Sequence, residues 1–258
     1  MRPLASHAMA VAAALAAALA AALPVTAPAQ QAPAVLGRAR QLVVVTTPGW
    51  DSTSGVLRRF ERGGAAARWR PVGRAIPIVV GHAGLGWGAG FGALAQRGAP
   101  RKHEGDGRSP AGAFALGTAF GFAPADAMDR LRVPYLTLES TSECVDDTAS
   151  VHYNTVVDRA AVPRVDWSSA ERMRTIGEYH LGVVVEYNAT RPRRGAGSCI
   201  FLHIWDGPGS TTTGCTAMPR DRLETLVRWL DRARRPVLVQ MPRADYVRLR
   251  ARWGLPAA

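Results

Sequence analysis

From Gln41 onward the chain is a succession of short apolar runs rich in β-branched residues, each stopped by Gly or Pro. Leu42–Val45, Ile76–Val80, Ala113–Leu116, Leu131–Leu138, Leu181–Tyr187, Ile200–His203 and Val237–Met241 have the length and composition of strands. Such runs are too short for stable helices, and branched side chains suit the pleated surface of a sheet. Two helices stand out between them. Leu223, Leu226, Val227 and Leu230 fall at i, i+3, i+4 and i+7. Pro219, Asp221 and Glu224 lie early in that segment and Arg228, Arg232 and Arg234 late, as the helix dipole favours. A short basic helix is expected over Arg243–Arg252 and a weaker one over Ser168–Ile176. Without repeats or heptads, the pattern predicts one mostly-β domain with peripheral helices.

The first residues read differently. Arg2 opens a short basic stretch, Val11–Leu23 is a charge-free Ala/Leu run, and Ala27-Pro28-Ala29 places small residues before Gln30. This is the layout of a secretory signal peptide, and the run is too short and Ala-rich for a durable membrane anchor. The expected organisation is therefore a leader over 1–29, an Ala/Pro linker over 30–40, a domain over 41–242 and a basic helix and tail over 243–258. The exported chain would occupy the periplasm or cell envelope, with no stable membrane anchor after cleavage.

Composition narrows the partners. A hydrophobic fraction of 47% with 20% charged residues excludes a disordered chain, and three Cys in 258 residues exclude a disulfide-built miniprotein. The +12 net charge admits nucleic acid, an anionic envelope polymer, or an Arg-rich coding bias. Export and the lack of a basic–aromatic RNA motif argue against nucleic acid. His82, His103, His152 and His180 show no metal-ligand spacing. The Gly-rich segment Gly81–Gly92 lacks the following helix and the Lys-Ser/Thr pair of a phosphate-binding loop, and reads as a flexible or tightly turning surface segment.

Chemistry concentrates in Gly197–Pro219. A short apolar strand ends at His203, the turn Asp206-Gly-Pro-Gly209 follows, then three Thr, then Gly214-Cys215 and a helix. A Cys attacks as its thiolate and needs a base nearby, and a His closing a neighbouring strand can take the thiol proton and return it to a leaving amine. Gly before the Cys lets the backbone approach a carbonyl, and amides at such a turn can hold an oxyanion.

His203 with Thr212-Thr213-Gly214-Cys215 resembles the signature of the L,D-transpeptidase catalytic-domain (YkuD-like) family. Lys102–Phe114, with its Pro110-Ala-Gly-Ala-Phe114 run, resembles the family segment that enters a core strand. Cys144-Val-Asp-Asp147 and Tyr153-Asn154 resemble one envelope-associated branch. The likeness spans residues 40 to 242. The sequence departs from the common pattern at Thr213, where many members have a second His, and at Ala217, where many have Arg. Arg220 is the nearest cation in sequence. The twelve-residue step from His203 to Cys215 is short and implies a trimmed loop.

The resemblance implies a β-sandwich domain and cysteine acyl transfer on peptidoglycan stem peptides, without metal or organic cofactor. Cys215 would be acylated at the L-centre of the diamino acid at stem position three, with loss of the terminal D-Ala. An amine acceptor would give a 3→3 crosslink, water would give L,D-carboxypeptidase activity, and a lipoprotein amine would give protein anchoring. His203 would act as base and then acid, Thr212 or Thr213 would orient it, and amides near Gly214 and Cys215 would form the oxyanion hole. With Cys215 free, Cys144 and Cys199 remain as a pair that a disulfide would join. Asp146 and Asp147, as adjacent strand residues, point to opposite faces and are expected to serve structure. Glu104 and Asp106, among Arg101, Lys102 and Arg108, read as a solvated turn. The competing reading is a non-catalytic basic module that binds anionic wall polymers.

Overall fold

The computed structural model describes residues 31–258, so the expected leader over 1–29 lies outside the described residues. Thirteen strands follow in chain order: β1 (Gln41–Thr47), β2 (Ser54–Glu61), β3 (Arg70–Val79), β4 (Leu85–Trp87), β5 (Ser109–Gly121), β6 (Tyr135–Thr137), β7 (Ser142–Val145), β8 (Val156–Asp158), β9 (Ala170–Arg172), β10 (Leu181–Val185), β11 (Phe201–Ile204), β12 (Thr216–Met218) and β13 (Pro236–Pro242). The helices are α1 (Ala34–Gly37), α2 (Arg220–Trp229) and α3 (Arg243–Trp253).

The mostly-β expectation holds, but the main sheet closes on itself rather than separating into two stacked layers. Its order is β10-β11-β12-β3-β2-β1-β13-β5, and β10 pairs with β5 to complete the ring. Closure removes exposed sheet edges, the usual liability of a free sheet. The pairs β1–β13 and β11–β12 are parallel, and the other ring contacts are antiparallel. The long strand β5 is the hub, carrying β4 and β6 as well as its ring neighbours. A separate sheet, β8-β7-β9, completes the strand inventory.

Every residue of β1 and β13 is buried, as expected of strands covered on both faces. The helix α3 packs on both of them and contributes Tyr246, Leu249 and Trp253 to the core. The segment expected to be a tail therefore belongs to the domain. So does the expected linker: Leu36 and Ala39 are buried, and Arg62 ties Leu36 and Ala39 through their carbonyls at 2.8 and 2.7 Å. The face Leu223, Leu226 and Val227 of α2 is buried as its periodicity requires.

Three local expectations change. Ser168–Ile176 forms β9 and a single 3₁₀ turn rather than an α-helix. Leu131–Leu138 yields only the three residues of β6. Gly81–Gly92 is not a surface segment throughout, since Leu85–Trp87 is a buried strand beside β5. A Cβ on Gly81 would sit 2.2 Å from the Gly107 carbonyl, so this stretch needs Gly for close backbone packing.

Candidate active site

Strand alternation sets up the site. Along β11, Leu202 and Ile204 join the main core, while Phe201 joins a second cluster with Cys144, Met173, Tyr179, Cys199 and Cys215. That cluster lies between the ring and the β7–β9 sheet. The register pairs His203 with Ala217 on β12 and with Gly182 on β10. Gly182 leaves room for the Phe120 ring, which a Cβ there would meet at 2.3 Å. Phe120, Tyr179 and Phe201 then pack edge to face with centroids 5.0–5.6 Å apart. His203 lies beside them, 5.3 Å from the Tyr179 ring centroid.

Cys215 is the one free cysteine and is buried. Its sulfur accepts the Phe201 N–H at 3.2 Å and faces the Cys199 carbonyl at 3.5 Å. Its own carbonyl accepts the hydroxyls of Ser109 and Thr212, each at 2.7 Å. The backbone that presents the thiol is thus clamped from two strands and the turn. Burial pushes the thiol up from its ordinary value and the Glu171 charge adds to this, against the opposing pull of the Phe201 N–H, Tyr179 and Lys102. Cys215 therefore rests as a neutral thiol.

His203 Nδ1 lies 2.7 Å from the Ile204 carbonyl, an acceptor only, so Nδ1 carries the hydrogen and Nε2 is the free basic nitrogen. Burial holds the imidazole below its ordinary value, with the Ile204 bond and Asp206 partly offsetting it. The Ile204 carbonyl thus performs the orienting role expected of Thr212 or Thr213. Thr212 instead braces the turn, its Oγ1 accepting the Gly214 N–H at 3.2 Å. That bond occupies the Gly214 amide expected to serve an oxyanion. Thr213 lines the cavity beside Cys215.

Cys144 and Cys199 form a disulfide with Cα atoms 6.0 Å apart. It fastens β7 to the segment leading into β11. Cys199 takes a left-handed backbone conformation, φ 53°, and its N–H donates to Asn154 Oδ1 at 3.0 Å. Asn154 in turn donates to the Tyr187 and Asn188 carbonyls, both at 2.9 Å. These contacts set where the Cys199 carbonyl meets the thiol.

A cavity of about 260 Å³ opens beside Cys215, walled in part by Lys102, Glu104, Asp146, Glu171, Ser198 and Gly214. Asp147 has the expected structural role, accepting from Ala149 N and from Ser168 N and Oγ, all at 2.8 Å. Asp146 does not share that role, because it faces the cavity. The 102–108 segment is likewise more than a solvated turn: Lys102 is buried, with Nζ on Asp106 at 2.5 Å and on the His103 carbonyl at 2.6 Å. Glu104 Oε2 accepts from Tyr153 at 2.5 Å and Ser198 at 2.8 Å. Sequence reasoning missed Glu171 and Tyr179 altogether. The Tyr179 hydroxyl donates to Glu171 Oε2 at 2.7 Å and lies within hydrogen-bonding reach of the Cys215 sulfur. Neither residue sits in a motif, and only the path of the chain through β9 and Gly177–His180 brings them to the thiol. Arg220 starts α2 and does not line this cavity.

The chain matches no protein-family model, no curated protein and no solved structure.

Proposed function

We propose that this protein is an exported cysteine acyltransferase of the L,D-transpeptidase type, acting on peptidoglycan stem peptides through a thioester. The observation that carries the reading is a single free thiol lining a cavity, its sulfur accepting the Phe201 N–H on β11, with His203 two residues further along that strand and its Nδ1 held by the Ile204 carbonyl. His203 Nε2 removes the Cys215 proton as sulfur attacks the stem carbonyl, then returns it to the departing D-Ala amine. Both groups rest neutral, so activation is general-base catalysis during attack, an effect of about 10²–10⁴ in rate. The resulting thioester passes to an amine, giving a 3→3 crosslink, or to water, giving L,D-carboxypeptidase activity. On this reading the closed sheet with its β7–β9 cap is the counterpart of the transpeptidase-like domain. The disulfide and the leader-like N-terminus support export to the periplasm or envelope.

Incubation with purified stem tetrapeptide tests this. Release of D-Ala, with tripeptide or crosslinked dimer as co-product, is expected from the native enzyme and absent from Cys215→Ala and His203→Ala. Unchanged tetrapeptide with the native enzyme would overturn it.

A second role is favoured by one surface. A groove of about 1040 Å³ is lined by Arg58, Arg59, Arg62, Arg68, Arg74 and Arg250, and no acidic side chain lines it. Such a groove suits anionic envelope polymers, as an adhesion surface for the enzyme or as the working face of a binding module.

A further inference from the structure

Strand β2 carries a buried charge that the fold leaves without a counter-ion. Arg59 lines the arginine groove and has only 8% of its surface exposed. Its guanidinium lies over the Trp229 ring, 5.5 Å from the centroid, a contact that offsets part of the cost of burial but accepts no N–H. No acidic side chain lines the groove, and the charged neighbour that acts on Arg59 is another cation, Arg222. A buried charge without a partner weakens the fold unless an anion answers it from outside. The backbone is shaped around this side chain. Arg59 pairs with Val72 and Leu57 with Ile76, so Gly73, Arg74 and Ala75 of β3 bulge opposite Arg58. Gly73 is left-handed, φ 67°, and a Cβ there would lie 2.6 Å from Arg59 Nη2. Gly73 also lines the groove, which puts the Nη2 edge of the guanidinium at the groove wall. Nε, on the other edge, is enclosed without a partner among the described residues.

We propose that the groove is a specific site for the phosphate groups of an anionic polymer, with one phosphate seated on Arg59 and its neighbours on Arg58, Arg68, Arg74 and Arg250. The assignment rests on the adhesion reading of this groove, names its ligand chemistry, and is independent of Cys215. Arg62 is not one of the binding groups. Its guanidinium donates to the carbonyls of Leu36, Ala39 and Ala65 and stacks on Trp69 at 4.3 Å, so it braces the wall. Planar guanidinium forks match phosphate oxygens, and linked phosphates bring more charge into one groove than the same length of polycarboxylate. A lipid surface fits less well. The exposed large apolar side chains among the described residues are Leu136, Val151 and Val247, and none lines the groove. Strand β3 meets β12 at Val79, away from the Gly73–Ala75 bulge, so a polymer held here anchors the protein rather than reacting.

The test titrates inorganic pyrophosphate into the whole chain by calorimetry and reads thermal unfolding with and without it. Arg59→Met should weaken binding about tenfold or more, the worth of a charge-assisted hydrogen bond. Arg70→Gln removes the same charge from an exposed β3 position outside the groove and should change binding by less than about twofold. Without ligand, Arg59→Met should melt no lower than the native protein, because it removes an unpaired charge and keeps an apolar stem. Pyrophosphate should raise the native melting temperature and leave that of Arg59→Met unmoved. Equal weakening in both variants, or lower melting of unliganded Arg59→Met, overturns the site while leaving general polyanion adhesion intact. Polyphosphate should displace pyrophosphate, and polyglutamate at the same charge concentration should not. Equal displacement overturns the phosphate preference, and displacement by phosphatidic acid vesicles without displacement by polyphosphate overturns the polymer. A native protein that binds neither pyrophosphate nor either polymer overturns the adhesion reading together with the site.

Discussion

At the residue scale, burial favours the uncharged forms of both Cys215 and His203. A thiol raised by burial alkylates slowly, so native Cys215 should react with iodoacetamide far more slowly than free cysteine at neutral pH and gain rate only under alkaline conditions. Rapid neutral alkylation would instead indicate a preformed thiolate. The lowered His203 value keeps Nε2 basic into acid, so the acid limb of the pH–rate profile should fall below the ordinary imidazole value of 6.5. Glu171 has the opposite sign. Its folded value, about 7, exceeds the ordinary 4.5, so its contribution to stability is full below 4.5 and is lost as pH rises through 7. Denaturation of the native protein and Glu171→Gln across that window should show the native protein losing stability relative to the variant. Of these groups, Cys215 and His203 were legible from their own residues, a Gly-Cys turn and a His closing a strand. Glu171 and Tyr179 were not, because their partnership with the thiol exists only once β9 and the turn before β10 fold over β11.

At the element scale, the site depends on the join between the β7–β9 sheet and β11. The Cys144–Cys199 disulfide closes a loop of 55 residues, and its loss in Cys144→Ser/Cys199→Ser should cost about 2–4 kcal/mol in denaturant unfolding. Because Cys199 also places a carbonyl against the thiol, activity should fall further than the lost stability accounts for. Gly182 is a second sensitive point. In Gly182→Ala the new Cβ meets the Phe120 ring, and overpacking of about 1–3 kcal/mol should accompany loss of the Phe120–Tyr179–Phe201 cluster beside His203. Near-native stability in this variant would show that the ring shifts freely. The strands with strong apolar patterning, such as β1, β10 and β13, could be read from sequence. Strand β2 could not, since Arg58, Arg59 and Glu61 sit in it; hydrogen bonding to β1 and β3, not apolar periodicity, makes it a strand.

At the scale of the whole molecule, ring closure was the feature least visible in the sequence. It depends on β10 reaching β5 across a long separation, and alternation of side chains is the same in an open sandwich as in a closed sheet. The closed sheet buries strands on both faces, which explains why β1 lacks the polar alternation of a half-exposed strand. The net charge of +12 also acts at this scale. Binding to a polyanion such as polyphosphate should weaken steeply with added salt, and replacement of Arg58, Arg68, Arg74 and Arg250 by Gln should flatten that dependence. An unchanged salt slope would place the charge's role elsewhere on the surface.

Intact-mass analysis of the purified protein after exposure to a carbapenem bears most directly on Cys215 as the acylated nucleophile. One covalent adduct per chain is expected, mapping to the peptide that contains Cys215 and absent from Cys215→Ala. An unmodified mass, or an adduct that survives Cys215→Ala, would contradict acyl transfer at this thiol.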